Sequence, residues 1–349
     1  MAILVLSPAA ASAWSLTYHD PLRNPKTGGP LSCPDPSVTY AASPTISYVL
    51  VCTSGFNTDA FPIYRSNDLV HWHADGFVFP QGHQPWWAVH STGRPTGGRY
   101  WAPEINRIEG RWVVYYAAEY NASKLDLEIP GDGRVTPGRM VIGYATSNSL
   151  GGPWQTGVLH YAGQFNDVST EREQLVPAID PSLLSDPATG QLYLYWSDQP
   201  HQIWVGELSP SGTTLEPQIQ EVLDVSEPFE CDPRDHSCTI EAPEPFMAFG
   251  NFYLLYSGAS TWDSSYAVGA AAAPSPLGPF IKLGHPILRQ GGGFYSTGHT
   301  SEPVLGPDGS SYILYHARTS PGVHRPSDTR YLMLGRFGWS GGWPTISPG

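Results

Sequence analysis

Residues 239–244, Thr-Ile-Glu-Ala-Pro-Glu, lead through a Phe-Gly turn into residues 251–257, Asn-Phe-Tyr-Leu-Leu-Tyr-Ser. An acidic residue beside a proline therefore precedes a glycine turn, and the turn precedes a short aromatic segment. Aromatic residues are enriched in β-strands, whereas Gly and Pro punctuate secondary structure. The same order of features recurs along the chain, so this stretch indicates the repeating unit of the fold.

Five segments share this order of features. Their marker prolines are 60 to 78 residues apart and are Pro36, Pro103, Pro181, Pro243 and Pro303. Each segment contains three or four short strands, and no stretch with helical periodicity interrupts them. Repeats of this size, each a small antiparallel sheet with little core of its own, are typical of blades packed around an axis. We therefore predict an all-β, five-bladed β-propeller. A β-sandwich is the alternative, but it does not explain the recurring proline.

Composition narrows the classes of partner. The 349 residues include 18 Lys and Arg against 31 Asp and Glu, which gives a formal net charge of −13. This balance argues against a nucleic acid or an anionic membrane as partner, because phosphate groups require a cationic surface. A neutral sugar polymer is compatible with it. Only 14% of the residues are charged, and the abundance of aromatic residues, Gly and Pro favours short strands over helices.

The first residues form an apolar run that ends in Ala11-Ser-Ala13, the small-residue pattern of a signal-peptidase site. We predict a signal peptide at residues 1–13, although the basic residues that usually begin one are missing. Residues 14–349 are then expected to form a single domain, secreted to the extracellular space as a monomer. No other apolar run is long enough to span a bilayer.

The four cysteines fit an oxidising compartment. Cys231 and Cys238 bracket a short polar loop that a disulfide would close, and Cys33 and Cys52 would then pair by elimination. Four cysteines permit three connectivities, so this pairing is a preference. A metal site that uses His236 with two cysteines is the weaker alternative.

Polar residues at the starts of the repeats are the candidates for chemistry. In a propeller the first strand of each blade lines the central channel, so equivalent residues converge on one mouth. These residues are Asp35, Asp180, Glu241 and His299, and Trp101-Ala102 takes the place of the acid in the second blade. One such acid alone is more simply explained as a turn-capping residue. Three acids in register indicate a shared pocket, in which protonation is divided between an acid and a base.

The motifs around these residues resemble glycoside hydrolase family 43, a family of five-bladed propellers that act on arabinan and xylan. The matching motifs occur in the family's order, and they are residues 35–37 (Asp-Pro-Ser), 101–105 (Trp-Ala-Pro-Glu-Ile), 178–182 (Ala-Ile-Asp-Pro-Ser), 240–243 (Ile-Glu-Ala-Pro) and 298–301 (Gly-His-Thr-Ser) with 315–316 (Tyr-His). Each motif is weak alone. The ordered set is specific, and it extends over residues 33–344.

The resemblance implies an inverting glycoside hydrolase with three acidic roles. Asp35 corresponds to the general base that activates a water, Glu241 to the general acid, and Asp180 to the residue that orients Glu241 and tunes its pKa. An inverting pair needs carboxyl groups roughly 6.5–9.5 Å apart with room for a water between them, which residues of different blades can satisfy. Glu244 is a local competitor for the acid role, but the family's Glu-x-Pro pattern favours Glu241.

Two further residues are assigned by the resemblance. His299 resembles the family's channel histidine, which in several members helps to hold a hydrated cation, often calcium; a histidine hydrogen-bonded without metal is an equal alternative. No cofactor is expected for the chemistry itself. Arg318 lies where the family often places an arginine that reaches the sugar, although it would equally serve as a surface charge.

Aromatic side chains are candidates for sugar contacts, because the apolar faces of sugars stack on flat rings. Trp101 is predicted to form the floor of the site, and Trp86, Trp87 and Phe56 are predicted to contribute its walls. Ordinary packing between blades is the alternative for these wall residues.

The segments between strands decide whether the channel mouth is a blind pocket or an open groove. The tryptophans in residues 81–98 favour a pocket, and hence an exo-acting α-L-arabinofuranosidase on an arabinose- or xylose-containing polysaccharide or oligosaccharide. A β-xylosidase and an endo-1,5-α-L-arabinanase remain open. A non-catalytic, secreted carbohydrate-binding propeller is the alternative of another class, although binding alone does not require three acids.

Overall fold

A computed structural model of the protein describes residues 16–41, 47–54, 59–88, 100–119, 140–159, 178–198, 202–262, 264–321 and 329–349. The predicted signal peptide and Phe56 lie outside these residues. Within them, the one helical segment is a 3-10 turn at Pro228–Glu230. None of the described helices is long and apolar enough to cross a membrane.

The strands form five sheets, and each sheet takes its strands from one repeat. The first sheet contains β1 (Ser37–Tyr40), β2 (Tyr48–Val51), β3 (Ala60–Ser66) and β4 (His73–Phe79). The second contains β5 (Tyr100–Ile108), β6 (Arg111–Glu119), β7 (Met140–Ser147) and β8 (Gln155–Val158). The third contains β9 (Ile179–Ser185), β10 (Leu192–Asp198), β11 (Gln202–Leu208) and β12 (Leu215–Asp224). The fourth contains β13 (Ile240–Ala248), β14 (Asn251–Gly258), β15 (Ala267–Ala273) and β16 (Ile281–Lys282). The fifth contains β17 (Tyr295–Gly298), β19 (Ser311–Arg318), β20 (Tyr331–Ser340) and β21 (Trp343–Pro348), and β18 (Val304–Leu305) pairs with β19.

The strands of each sheet follow one another antiparallel from the inside of the molecule outward. The second strands β6, β10, β14 and β19 are almost entirely buried, whereas β4 and β12 expose alternate or consecutive side chains. Strands covered on both faces are expected to be nearly continuous apolar runs. The aromatic runs of the sequence are therefore the middles of the blades, and the polar strands form the rim.

Five apolar clusters hold the ring together, and each cluster joins two neighbouring blades. The cluster between blades 1 and 2, for example, contains Phe61 and Phe79 of the first blade together with Tyr116 of the second. Among the described residues no blade has an apolar cluster of its own, so each blade is stable only against its neighbours. This arrangement confirms the predicted five-bladed β-propeller and excludes the β-sandwich.

The ring closes between blades 5 and 1 without a shared strand, because each of these sheets comes from one end of the chain. The segment before β1 makes the join. Leu22 N donates to Leu332 O at 2.9 Å, and Leu332 N donates to Leu31 O at 2.9 Å. Cys33 N donates to Arg330 O at 3.1 Å. Residues 300 positions apart in the sequence thus meet at this closure.

Both predicted disulfides are present, Cys33–Cys52 and Cys231–Cys238. The first joins the segment before β1 to the end of β2, and the second closes the loop that precedes β13. Each lies two or three residues before an acid that the sequence analysis placed in the site, Asp35 and Glu241 respectively. The disulfides therefore brace the two strand starts that carry Asp35 and Glu241.

Candidate active site

The starts of the five inner strands share an uncommon backbone conformation. A residue with φ between +44° and +54° occurs at the equivalent point of each blade, at Asp35, Ala102, Asp180, Ala242 and His299. Non-glycine residues rarely adopt such angles, which cost of order 1–3 kcal/mol each and are concentrated at functional sites. In blades 2, 3 and 4 the pairing with the second strand is interrupted by a bulge at this point. Bulges re-aim side chains next to active sites.

This conformation corrects two details of the repeat. In blade 5 the equivalent of the marker proline is Thr300, which follows His299, and not Pro303 as the sequence spacing suggested. In blade 4 the left-handed residue is Ala242, so Glu241 lies one position earlier than Asp35 and Asp180 do in their blades. Trp101 occupies the same position as Glu241, since it precedes the left-handed Ala102.

Asp35 is buried, and donors approach both of its carboxylate oxygens. Arg330 donates through Nη1 to Oδ1 and through Nη2 to Oδ2, the latter at 3.2 Å. Thr53 Oγ1 donates to Oδ2 at 2.6 Å, and Ala102 N donates to that hydroxyl at 2.7 Å. A two-pronged guanidinium contact orients a carboxylate as well as neutralising it. Blades 1, 2 and 5 together therefore fix the position of Asp35.

Burial would raise the pKa of Asp35, but the neighbouring Arg330, His299, His316 and Thr53 outweigh it and hold this pKa well below its usual range. Burial lowers the pKa of His299 to about 4 and that of His316 well below its ordinary value. Both imidazoles are therefore neutral near pH 7, where Arg330 carries the positive charge that balances Asp35. Asp35 is ionised at neutral pH, as a general base must be.

The two histidines lie on the other side of Asp35. His299 Nδ1 is 3.3 Å from Asp35 Oδ1, and His316 Nδ1 accepts a hydrogen bond from Asp35 N at 3.3 Å. The His316 ring stacks on Tyr266, with centroids 5.9 Å apart and planes 6° apart. Tyr266 in turn belongs to the surroundings of Glu241, so the histidines connect the two acids across the mouth.

Glu241 is half-buried at the start of β13, and Tyr266 OH donates to its Oε1 at 2.7 Å. Asp180 is buried, and its Oδ2 accepts a hydrogen bond from Ala242 N at 3.0 Å. Asp180 thus holds the backbone of the residue that follows Glu241. This contact fits the role of an orienting carboxylate, which acts through the position of its neighbour.

The Asp180–Glu241 pair carries raised pKa values. Burial raises the pKa of Glu241, and the charge of Asp35 adds to this, while the hydroxyl of Tyr266 opposes it. Burial and the charges of Glu241 and Asp35 raise the pKa of Asp180. Carboxyl groups in one apolar site divide their protonation, so the pair retains a proton at a pH where Asp35 has lost its own.

Glu244, the competitor for the acid role, lies in a different environment. Its Oε2 accepts a hydrogen bond from Ser182 Oγ at 3.4 Å, and burial together with the charges of Glu104 and Glu302 raises its pKa. Burial also raises the pKa of Glu104 to about 7. Glu244 therefore belongs to a second group of carboxyls, whereas Glu241 shares its surroundings with Asp35 and Asp180.

The predicted aromatic contacts divide into two sets. Trp101 is half-buried against Ala117, Met140 and Ile179 at a strand start, which is the position predicted for a floor residue. Trp86 follows β4, which ends at the same face as the strand starts, and it is 56% exposed. Trp87, by contrast, is fully buried and stacks on Tyr116 with centroids 6.0 Å apart. Its prediction as a sugar-facing wall is wrong; it packs between blades 1 and 2.

The arginine that contacts Asp35 is Arg330, whereas the prediction that Arg318 reaches the sugar stays a prediction. Arg318 is buried at the end of β19, where its Nε donates to Thr261 O at 3.3 Å and its guanidinium lies 5.9 Å from the ring centroid of Trp262. Arg330 precedes β20 and is 295 positions from Asp35 in the sequence. No local motif marks Arg330. Thr53 and Tyr266 were missed for the same reason, although Thr53 directly follows Cys52.

Of the residues that the structure describes, those around His299 do not by themselves form a calcium cage. Calcium takes six to eight oxygen ligands, whereas the nearest charged neighbour of His299 is Asp35, which is already bound by Arg330 and Thr53. Among the described residues, no three His, Cys, Asp or Glu side chains are arranged to hold a metal ion.

Known proteins resemble the chain at the levels of sequence and fold. It is 24% identical to an extracellular endo-alpha-(1->5)-L-arabinanase 1 of Bacillus subtilis, over 81% of this chain and 79% of that protein. It is also 24% identical to an extracellular exo-alpha-(1->5)-L-arabinofuranosidase of Streptomyces avermitilis over 66% of the chain, and the match spans 45% of that protein's length.

Solved structures show the same fold. A thermostable family-43 glycoside hydrolase superposes with a TM-score of 0.72 at 24% identity, over 95% of this chain and 96% of that one. A Cellvibrio cellulosa alpha-L-arabinanase complexed with arabinohexaose superposes with a TM-score of 0.65 at 19% identity, over 91% and 96% of the two chains. The sequence profile of glycosyl hydrolases family 43 matches residues 24–344. With most of its length matched and the five-bladed fold in place, this chain belongs to glycosyl hydrolases family 43.

Proposed function

We propose that the protein is an inverting glycoside hydrolase that removes terminal or side-chain pentofuranosyl residues from plant cell-wall polysaccharide, as an exo-acting α-L-arabinofuranosidase. The observation that carries this proposal is the divided protonation at one channel mouth. Asp35 is held ionised by Arg330, while burial keeps a proton on the pair of Glu241 and Asp180. A general base and a general acid are thereby available at the same pH.

In the proposed reaction, Asp35 removes a proton from a water whose oxygen attacks the anomeric carbon of the sugar. Glu241 gives its proton to the glycosidic oxygen as the carbon–oxygen bond breaks, and the configuration at the anomeric carbon is inverted. Asp180 positions Glu241 through the backbone N–H of Ala242. Trp101 and Trp86 supply flat apolar faces for the sugar.

A panel of substrates tests this function. We expect release of arabinose from an aryl α-L-arabinofuranoside, and single arabinose units from linear and branched arabinans. Proton NMR of the first-formed anomer should show inversion. The Asp35→Asn variant should lose at least about a thousandfold in kcat, because the amide cannot accept the proton of the water. Full turnover by this variant would falsify the assignment of the base.

An endo-1,5-α-L-arabinanase is the second candidate. It is favoured by the similarity to the Bacillus subtilis protein of that name, which extends over 79% of that protein. A β-xylosidase is the third, since the chain is 24% identical to a xylosidase/arabinosidase of Butyrivibrio fibrisolvens. Separation of the arabinan products by size identifies endo cleavage, which gives short oligosaccharides. Release of xylose from an aryl xyloside identifies a β-xylosidase.

Three accompanying proposals concern the state of the protein. We infer secretion, supported by the two disulfides and by the extracellular labels of the relatives.

We expect a monomer with a carbohydrate as its partner. Size-exclusion chromatography with light scattering measures the oligomeric state. A calcium ion near His299 would be structural only. EDTA should therefore leave kcat unchanged, and a loss of kcat that calcium restores would contradict this role.

A further inference from the structure

The loop between β14 and β15, residues 259–266, lies beside the proposed acid. Gly258 pairs with Ile240 and also with Ala267, so both ends of the loop are adjacent to the start of β13. Tyr266, the last loop residue, donates to Glu241. The sequence analysis gave this loop no function. Its position is nevertheless on the face of the propeller where the proposed reaction occurs.

Trp262 projects from this loop with 55% of its surface exposed, although the backbone beneath it is fixed. Thr261 O accepts hydrogen bonds from Ser296 Oγ at 2.7 Å and from Arg318 Nε at 3.3 Å. Trp262 N donates to Ser260 Oγ at 3.2 Å. Contacts from blade 5 therefore hold the loop of blade 4 in place.

Arg318 also approaches the ring of Trp262, 5.9 Å from its centroid. A guanidinium near an indole restrains the orientation of the ring, and Arg318 is itself buried. A single exposed tryptophan needs no explanation in general. Here, however, the ring is exposed, a buried guanidinium lies against it, and the backbone that leads into it is held by blade 5. A ring prepared in this way loses little conformational entropy when a ligand stacks on it.

We propose that Trp262 is a stacking platform for the sugar units on the leaving-group side of the cleaved bond. The inference rests on the proposed function, because the side is defined by Glu241, which protonates the leaving oxygen. Trp262 is four residues from Tyr266, and four residues of extended chain reach at most about 14 Å. Trp262 is therefore near enough to Tyr266, which contacts Glu241, to meet the sugars that continue on the leaving-group side.

The ligand class follows from the chemistry of the surface. The indole offers a flat apolar face, which matches the C–H face of a neutral sugar. Arg318 uses its Nε on the carbonyl of Thr261 and lies under the ring. The platform thus extends the site beyond Trp101, which lies at the strand start of blade 2, and it predicts a preference for substrates with several sugars after the cleaved bond.

The test compares Trp262→Ala with Trp262→Phe. With linear α-1,5-arabinohexaose and β-1,4-xylohexaose, we expect Trp262→Ala to raise KM about tenfold on whichever hexasaccharide is cleaved, with kcat nearly unchanged. Trp262→Phe should retain most of the affinity. Hydrolysis of an aryl arabinofuranoside, which has no sugar on the leaving-group side, should be unchanged in both. Phe249→Ala is the matched control, because Phe249 is 63% exposed at the opposite end of the same blade.

Binding is measured separately from turnover, by calorimetric titration of the same hexasaccharides into Asp35→Asn with and without Trp262→Ala. A tenfold weaker affinity without Trp262 supports the platform, even if no substrate of the panel is hydrolysed and the proposed function fails. If Trp262→Ala changes neither the affinity nor KM, the platform is overturned. The proposed function still stands in that case, provided that the protein hydrolyses a substrate of the panel. The platform is also overturned if Asp35→Asn with Trp262 intact binds neither hexasaccharide.

Discussion

The starts of blades 1 and 4 place Asp35 and Glu241 at the same channel mouth, each behind a disulfide, yet their surroundings differ. Asp35 has a guanidinium, a hydroxyl and two imidazoles around it, and its pKa is lowered. Glu241 has one hydroxyl donor in a buried setting near another carboxyl, and its pKa is raised. Two carboxyls at strand starts, one position apart in the repeat, therefore acquire opposite pKa shifts through what the neighbouring blades supply.

Apart from the loss expected of Asp35→Asn, the largest expected effect comes from the carboxyl of blade 4. Glu241→Gln should lower kcat/KM about 10²- to 10⁴-fold on arabinan oligosaccharides, because the poor leaving group then lacks its proton donor. The loss should be smaller on an aryl glycoside with an acidic phenol, which needs less protonation. Initial rates on the two substrates measure the difference. An equal loss on both would show that Glu241 does not act as the acid.

Glu244→Gln is the matched control, and its effect is on stability. Burial raises the pKa of Glu244 above its unfolded value, so its contribution to stability is present at low pH and is lost as pH rises through the folded pKa. The uncharged amide does not experience this loss. We expect near-normal kcat and a higher unfolding midpoint at pH 8 than for the unmodified protein, with little difference at pH 4. If Glu244→Gln were the inactive variant, the two acids would have to exchange roles.

Arg330→Met is the next strongest test, on the blade 1 side. The guanidinium favours the ionised form of Asp35, so its removal raises the pKa of this carboxyl. The acidic limb of the pH profile of kcat/KM should therefore shift to higher pH, by about 1–3 units. The control is Arg336→Met, which removes a more exposed arginine paired with Asp308. An acidic limb that stays in place would mean that Arg330 does not set the ionisation of Asp35.

Tyr266→Phe should have a smaller effect, and this effect should appear on the basic limb of the pH profile of kcat/KM. The hydroxyl of Tyr266 stabilises the charged form of Glu241 and so lowers its pKa. Without it the pKa rises, and the basic limb should move to higher pH by about one unit or less. Tyr253→Phe, whose hydroxyl contacts Gly342 O far from the mouth, is the control. A shift to lower pH would contradict the proposed direction of this hydrogen bond.

The disulfides give the smallest effect on catalysis and a measurable one on stability. Cys33 and Cys52 are 19 residues apart, and Cys231 and Cys238 are 7 apart. By loop-closure entropy, replacing the first pair with Ser should cost about 3 kcal/mol of unfolding free energy, and replacing the second about 2 kcal/mol. Guanidinium unfolding measures both. A larger loss of unfolding free energy for Cys231–Cys238 would show that this disulfide stabilises the loop before β13 by more than loop-closure entropy accounts for.

The sequence and the structure agree most closely where the signal is local. Each blade begins with a left-handed residue, and four of the five are followed by proline, so the marker prolines found the strand starts. Blade 5 has Thr300 instead, and Pro303 misplaced the marker there by three residues. Of the two adjacent tryptophans, Trp86 is exposed and Trp87 is buried. Composition cannot distinguish them, because the path of the chain after β4 decides which side each ring faces.

The sequence by itself determined the number of blades and the acids at the strand starts, because those features depend on short-range patterns. It only favoured the two disulfide pairings that the structure contains. Only the tertiary structure decided which groups surround each acid. Arg330 reaches Asp35 across 295 positions because the ring closes between blades 5 and 1, and Tyr266 reaches Glu241 because β15 returns beside β13's partner strand. Protonation depends on these through-space neighbours and on burial, neither of which is encoded in any one segment.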